Sequence, residues 1–163
     1  MKLFALLGAV VVVGMPAATI GATPDAEVMM PVRAFIDGFN KGDTKAAAAQ
    51  TSPDGIVIVD DIAPFTWIGP KAFDTWGEAL DNADKVAGNT DDHVTYGKPV
   101  HVEVGVDRAY VVLPVVYTFK QKGVAQKETA HMALTLQKGN TGWLITGFSW
   151  AGTKAKPAEA GAK

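Results

Sequence analysis

The sequence predicts an α+β domain in which a curved antiparallel sheet wraps around N-terminal helices to form a cone. Apolar residues recur at helical spacing in the first half of the chain. From His93 onward the period changes to two, which is typical of strands. Long strands curl, and helices on one side of the curl would close a cone with an apolar interior.

The first helix is predicted from an apolar stripe formed by Val32, Phe35, Ile36 and Phe39. Pro31 either stands in its first turn or kinks a helix that began near Asp25. Gly42 suits the left-handed position after its end. Asp43 is predicted to cap a short second helix over residues 44–50.

The third helix is expected to begin at Gly69-Pro70, since proline is tolerated in a first turn. Its apolar stripe consists of Phe73, Trp76 and Leu80. A loop over residues 88–91 follows it.

The strands begin with the β-branched run 56–59, which follows a turn at residues 52–55. Four more are expected at roughly 93–104, 108–120, 125–138 and 143–151. Because the last three are long and closely linked by glycine-containing turns, we expect an antiparallel meander.

The two ends of the chain are predicted to lie outside the domain. Lys2, an apolar run and small residues up to Ala22 have the order of a secretory signal, cut after Ala22 or, less favourably, after Ala18. An uncleaved anchor is disfavoured because the run is shorter than the roughly 18 residues of a spanning helix. The domain would occupy residues 23–153, and residues 154–163 would form a disordered tail. The expected location is periplasmic or secreted.

Composition excludes several classes of function. The chain has no cysteine, which rules out thiol catalysis and cysteine-ligated metals. The net charge of −2, with signs interspersed, gives no surface for nucleic acid or an anionic membrane. His93, His101 and His131 lack metal-ligand spacing, so neither a metal nor another cofactor is expected.

Asp60 and Asp61 end the first strand and are the candidate catalytic residues. Their side chains diverge on an extended segment, so one should point into the cone and the other to solvent. A carboxylate among apolar walls can act as a general base. The alternative, which we favour, is a turn residue that accepts backbone N–H bonds ahead of Pro64.

Aromatic side chains are the candidate ligand-binding residues. Those that could line a cavity are Phe35, Phe65, Trp67, Trp76, Tyr117, Phe148 and Trp150. Filling a solid core is the alternative role. His131 is a further candidate acid or base, but its alternation with Thr129 and Ala133 favours the outer face of the sheet or a dimer contact.

Several segments together resemble the nuclear-transport-factor-2-like superfamily and, within it, the SnoaL-like group. The matching segments are 34–43, Val59-Asp60, 67–70, 109–112 and 142–145. The resemblance spans nearly the whole domain and implies a cone-shaped fold that often dimerises. This fold hosts isomerases, dehydratases, cyclases and non-catalytic binders, so it does not define an activity.

The ketosteroid isomerases of that superfamily use an Asp base with a Tyr and a protonated Asp as oxyanion donors. Asp60 or Asp61 matches the base, but Phe35 and Met132 stand at the donor positions. Chemistry like that of scytalone dehydratase requires two histidines directed into the cone. Chemistry like that of limonene epoxide hydrolase requires an Asp-Arg-Asp set, whereas Arg33 and Arg108 lie near element ends. We therefore expect an exported homodimer that binds a small apolar molecule, with proton transfer by Asp60 or Asp61 as the alternative.

Overall fold

The computed structural model of the protein describes residues 23–158, so the expected signal segment 1–22 and the last five residues lie outside the described part. The helices are α1 (Pro24–Asn40), α2 (Thr44–Ala48) and α3 (Ala72–Ala87). The strands are β1 (Ile56–Val59), β2 (Thr66–Gly69), β3 (Asn89–Tyr96), β4 (His101–Val104), β5 (Arg108–Gln121), β6 (Val124–Gly139), β7 (Gly142–Gly152) and β8 (Lys156–Pro157).

One curved sheet carries all the described strands, in the order β2-β1-β7-β6-β5-β3, with β4 also pairing with β5 and β8 with β6. β5, β6 and β7 form the predicted antiparallel meander. β1 joins it parallel to β7, and β2 returns antiparallel to β1. Helices pack against the sheet, which confirms the predicted α+β cone. The sheet is mixed and not wholly antiparallel as predicted, because β1 pairs parallel to β7.

The beginnings of helices α1 and α2 agree with signals in the sequence. The N–H of Ala26 donates to Thr23 Oγ1 over 3.3 Å, so α1 begins well before Pro31, which lies inside the helix. Gly42 follows α1 with φ +64°, a conformation that glycine adopts without strain. Asp43 Oδ1 accepts from the N–H of Ala46 over 2.9 Å and caps α2 as predicted.

Three predicted boundaries are wrong. Helix α3 begins at Ala72 instead of at Gly69-Pro70, because Gly69 pairs with Ile56 in the unpredicted strand β2. The predicted loop 88–91 already belongs to β3 from Asn89, which pairs with Gln121. The predicted strand 93–104 is two strands interrupted at residues 97–100, where Pro99 has no N–H to donate to a ladder.

The predicted disordered tail also needs correction within the described residues. Lys156–Pro157 forms β8, which pairs with Gln126 and Lys127 of β6. Ala158 extends the pairing by donating its N–H to the carbonyl of Ala125 over 2.9 Å. Backbone hydrogen bonds therefore hold a segment that has no large apolar residue to bury.

The side chain of Asn40 joins the end of α1 to β3. Its Nδ2 donates to the carbonyl of Val94 over 2.8 Å, and its Oδ1 accepts the N–H of Val94 over 2.7 Å. The amide thereby takes the place of a neighbouring strand at this point. None of the helices in the described part of the chain is both long and apolar enough to cross a membrane.

Candidate functional site

A cavity of about 280 Å³ lies between the inner face of the sheet and helices α1 and α3. Most of its lining is apolar and comes from both helices and from strands β3, β5, β6 and β7. The aromatic members of the lining are Phe35, Phe39, Trp76, Tyr117, Phe119, Phe148 and Trp150. The cone is therefore unfilled in its centre and large enough for a small organic molecule.

The structure brings together five of the seven candidate ligand-binding residues, namely Phe35, Trp76, Tyr117, Phe148 and Trp150. Phe148 stands between two of them, with ring centroids 5.4 Å from Phe35 and 5.4 Å from Trp76. These contacts fix the rings in one aromatic wall. The helical spacing of Phe35 and Trp76 was the signal that placed them on inward faces.

Phe65 and Trp67 do not line this cavity. Strand β2 pairs Trp67 with Ile58 of β1, and the Trp67 side chain is only 7% exposed within the core. Phe65 sits in the turn between β1 and β2, with φ +73° and 57% of its surface exposed. The two residues were expected to line the cavity because the hairpin of β1 and β2 was not foreseen.

Asp60 lies at the end of β1, where one of its oxygens bonds within the turn and the other faces the cavity. Its Oδ1 accepts the N–H of Asp61 over 2.7 Å, as a turn residue would. Its Oδ2 accepts the indole N–H of Trp76 over 2.7 Å inside the cavity. Asp61 contributes to the lining as well, although it is exposed, so both acids border the cavity and not one alone.

Two carboxylates that sequence reasoning missed also line the cavity. Glu128 of β6 is 8% exposed, and its Oε1 accepts the indole N–H of Trp150 over 2.8 Å. Asp84 of α3 accepts from Asn89 Nδ2 over 2.9 Å. Strand parity was an available signal for Glu128, since it shares its face with Ala130 and Met132.

Burial shifts the titration of these acids. It raises the pKa of Asp60, which the hydrogen bond from Trp76 partly opposes. Burial likewise raises the pKa of Glu128 against the bond from Trp150, and the negative charges of Asp61 and Asp60 add to the rise. The pKa of Asp84 is raised for the same main reason.

Tyr117 has its hydroxyl fixed beside the acids. The O–H donates to Asp92 Oδ1 over 2.7 Å. Burial raises the pKa of this phenol, and the bond to Asp92 raises it further. Tyr117 therefore stays protonated and keeps its one donor directed at Asp92.

The residues compared with those of related enzymes divide between the cavity and the surface. Phe35 and Met132, which the sequence resemblance matches to the oxyanion donors of the isomerases, line the cavity. His93, His101 and His131 are exposed and outside the lining, as are Arg33 and Arg108. Within residues 23–158 no group of three or more His, Asp or Glu side chains is arranged to hold a metal ion.

Solved structures with a similar fold include several enzymes. One is a ketosteroid isomerase-like protein from Erwinia carotovora atroseptica, with TM-score 0.61 and 19% identity over 80% of this chain and 96% of that one. Another is the hexachlorocyclohexane dehydrochlorinase LinA-type3 from Novosphingobium barchaimii, with TM-score 0.65 and 14% identity over 83% and 90%. A candidate scytalone dehydratase from Novosphingobium aromaticivorans has TM-score 0.65 and 11% identity over 83% of this chain and 88% of that one.

These likenesses establish that the chain has the nuclear-transport-factor-2-like fold, in agreement with the SnoaL-like resemblance of its sequence. At such low identity they define the fold and leave the activity open. No protein-family model matches the sequence, and no curated protein does.

Proposed function

We propose that this protein binds a small, largely apolar molecule in the central cavity of the cone. The observation that carries the proposal is the unfilled space of about 280 Å³ behind a wall of aromatic side chains. Apolar surface transferred into such a space gains about 25 cal/mol per Å², before the cost of association. A few polar groups at fixed positions would orient the ligand.

The hydrogen-bonding groups of the cavity favour binding over isomerase-type catalysis. Phe35 and Met132 offer no strong donor to a developing oxyanion. The side-chain donors of Trp76 and Trp150 already serve Asp60 and Glu128. Because one oxyanion donor is worth a few kcal/mol of barrier, a reaction through an enolate would be slow here.

A proton-transfer enzyme is the second candidate function, and one observation favours it. Asp60 presents a carboxyl group with a raised pKa to the cavity, and Glu128, whose pKa is raised too, lines the same cavity. Two such groups can serve as base and acid in a lyase, cyclase or isomerase reaction. Asp61 at the same strand end is the alternative base.

Tryptophan fluorescence tests binding directly, because Trp76 and Trp150 line the cavity while Trp143 does not. Titration with steroid-like and terpenoid-like compounds should change the emission. The change should shrink in Trp76→Phe and Trp150→Phe and persist in the control Trp143→Phe. If none of the compounds changes the emission or stabilises the fold against heat, the binding proposal fails.

Turnover assays with the same compounds separate the two candidates. The binding proposal expects no isomerisation of ketosteroids above the uncatalysed rate. Robust turnover that disappears in Asp60→Asn and survives in Asp54→Asn, an exposed turn residue, would replace the first candidate with the second.

The proposal also places the protein in the periplasm or outside the cell. This part rests on the sequence of residues 1–22 alone, which has the order of a secretory signal.

A further inference from the structure

The charged side chains that line the cavity are all acidic among the described residues. Carboxylates enter it from the end of β1 through Asp60 and Asp61, from α3 through Asp84, and from β6 through Glu128. No Lys, Arg or His of residues 23–158 belongs to the lining. The cavity therefore offers a ligand negative charge with no built-in counterion.

The side-chain donors of the lining are already directed at acids. The indole of Trp76 donates to Asp60 and that of Trp150 to Glu128. The amide of Asn89 donates to Asp84, and the hydroxyl of Tyr117 donates to Asp92 just outside the lining. An ionised carboxylate has about four acceptor positions, so accepting capacity remains after these bonds form. What the cavity lacks is a donor, and a ligand would have to bring one.

Glu128 is the most deeply buried of these acids among the described residues. The residue is 8% exposed and its Oε1 accepts the indole N–H of Trp150, while its other oxygen makes no hydrogen bond to the described residues and keeps solvent access at the cavity, where a ligand donor can reach it. A buried carboxylate is stable only when a charge partner or several donors compensate it. Asp60 and Asp61 add repulsion instead of compensation.

We infer that the natural ligand is an apolar molecule carrying a cationic hydrogen-bond donor, most simply a protonated amine, whose charged end lies between Asp60 and Glu128. The inference rests on the proposed binding function and names the ligand class for that same cavity. The apolar body would fill the space along Phe35 and Phe148. The ammonium group would supply the missing donors and stand near electron-rich aromatic faces, which attract cations. A carboxylate ligand would meet like charges and find no donor.

A set of probes of equal shape and different charge tests this inference. Adamantylamine, adamantanol and adamantanecarboxylate share one compact apolar cage and carry a cation, a neutral hydroxyl and an anion near neutral pH. Calorimetric titration should rank the amine about tenfold tighter than the alcohol, as expected of charge-assisted hydrogen bonds, with the carboxylate weakest.

Shape-conserving variants identify the source of any preference. Asp60→Asn and Glu128→Gln, singly and together, should reduce the affinity for the amine more than the affinity for the alcohol, so that the tenfold advantage of the amine shrinks. The control Glu103→Gln removes one exposed carboxylate on β4, outside the cavity, and should keep the full preference. Circular dichroism melts of each variant verify that the fold is intact.

The outcomes distinguish this inference from the function on which it rests. If the alcohol or the carboxylate binds as tightly as the amine, the inference is wrong and the binding function stands. An amine preference that survives in the double variant, or that Glu103→Gln reduces equally, would show attraction to the overall surface charge and would also overturn it. If no probe binds at any concentration tested, the binding function itself fails.

Discussion

Trp150 on β7 donates its indole N–H to Glu128 on the neighbouring strand β6, with 2.8 Å between Nε1 and Oε1. Gly152 is the reason that the two side chains can meet. A Cβ at position 152 would overlap Glu128 Oε1 and lie 2.6 Å from Trp150 Nε1. The absence of a side chain at Gly152 therefore makes room for the bond that holds the buried acid in place.

Gly152→Ala should break this bond while preserving the fold, since the end of the Glu128 side chain can move aside. The expected loss of unfolding free energy is about 1–2 kcal/mol, that of a hydrogen bond with a charged partner. Denaturant unfolding measures it. Gly77→Ala, in the middle of α3 with open space around its Cβ, is the control and should not destabilise the protein. Equal stability of the two variants would show that Glu128 and Trp150 contribute little as a pair.

The buried acids should make the protein less stable as the pH rises. A pKa that is higher in the folded than in the unfolded state adds stability that is complete below the unfolded pKa, roughly 4, and is lost as the pH rises through the folded value. Asp60, Asp84 and Glu128 all have raised pKa values. As the pH rises across this window, the parent should therefore lose unfolding free energy relative to the double variant Asp60→Asn/Glu128→Gln.

Chemical denaturation at a series of pH values measures that difference. Glu103→Gln, an exposed site, should show a nearly constant difference from the parent. If the parent instead gains unfolding free energy relative to the double variant as the pH rises, the hydrogen bonds from Trp76 and Trp150 outweigh burial in setting the pKa values.

Trp143 should be a main anchor of β7. Its side chain is 7% exposed, so Trp143→Ala should cost about 3–5 kcal/mol in denaturant melts. Trp143→Phe should cost much less, because Trp143 Nε1 has no hydrogen-bond partner among the described residues and its removal breaks no bond. Ile68→Ala, at a residue 75% exposed, should change stability by less than about 0.5 kcal/mol. A loss below about 1 kcal/mol for Trp143→Ala would contradict the packing described here.

We predict a homodimer formed through the outer face of the sheet. Thr129 and His131 are exposed on that face of β6, and Ala133 beside them is half-buried. Sedimentation equilibrium should give twice the mass of one chain, and Ala133→Asp should shift it toward the single-chain mass without affecting the cavity. A single-chain mass independent of concentration would reject the prediction.

The exported protein should begin at Thr23. Mass spectrometry and N-terminal sequencing of the product outside the cytoplasm read this directly. Ala22→Asp should slow processing, because a small residue is needed before the cut. A soluble product that still carries Met1 would overturn the expected export.

The sequence was sufficient for elements whose local signals agree with their packing. The stripe of Phe35 and Phe39 and the cap at Asp43 defined the helical part, and period two with glycine turns defined the meander. It was insufficient for β2, where Asp60 to Phe65 has turn composition on both sides of Pro64. Only the pairing of Trp67 with Ile58 shows that the chain returns as a hairpin.

Some residues of the candidate site were predictable from local sequence signals, whereas the contacts between them were not. Asp60 and Trp76 were found because one ends a strand and the other lies on a helical stripe, but their hydrogen bond spans 16 residues of sequence and has no local signal. Glu128 lies three positions before His131 on β6 and carries no local signal apart from its strand parity. Parity would have placed Glu128 inward, whereas its partner Trp150 depends on the register between β6 and β7.

The amide of Asn40 has a consequence for how the protein can associate. β3 is the last strand in the sheet order, and an exposed last strand is a template for adding strands from other copies. At Val94 both backbone groups that a newcomer would need are already occupied by Asn40. A strand from another copy could not pair at this position while the Asn40 amide occupies it, and Asn40→Ala would leave both backbone groups of Val94 open to such pairing.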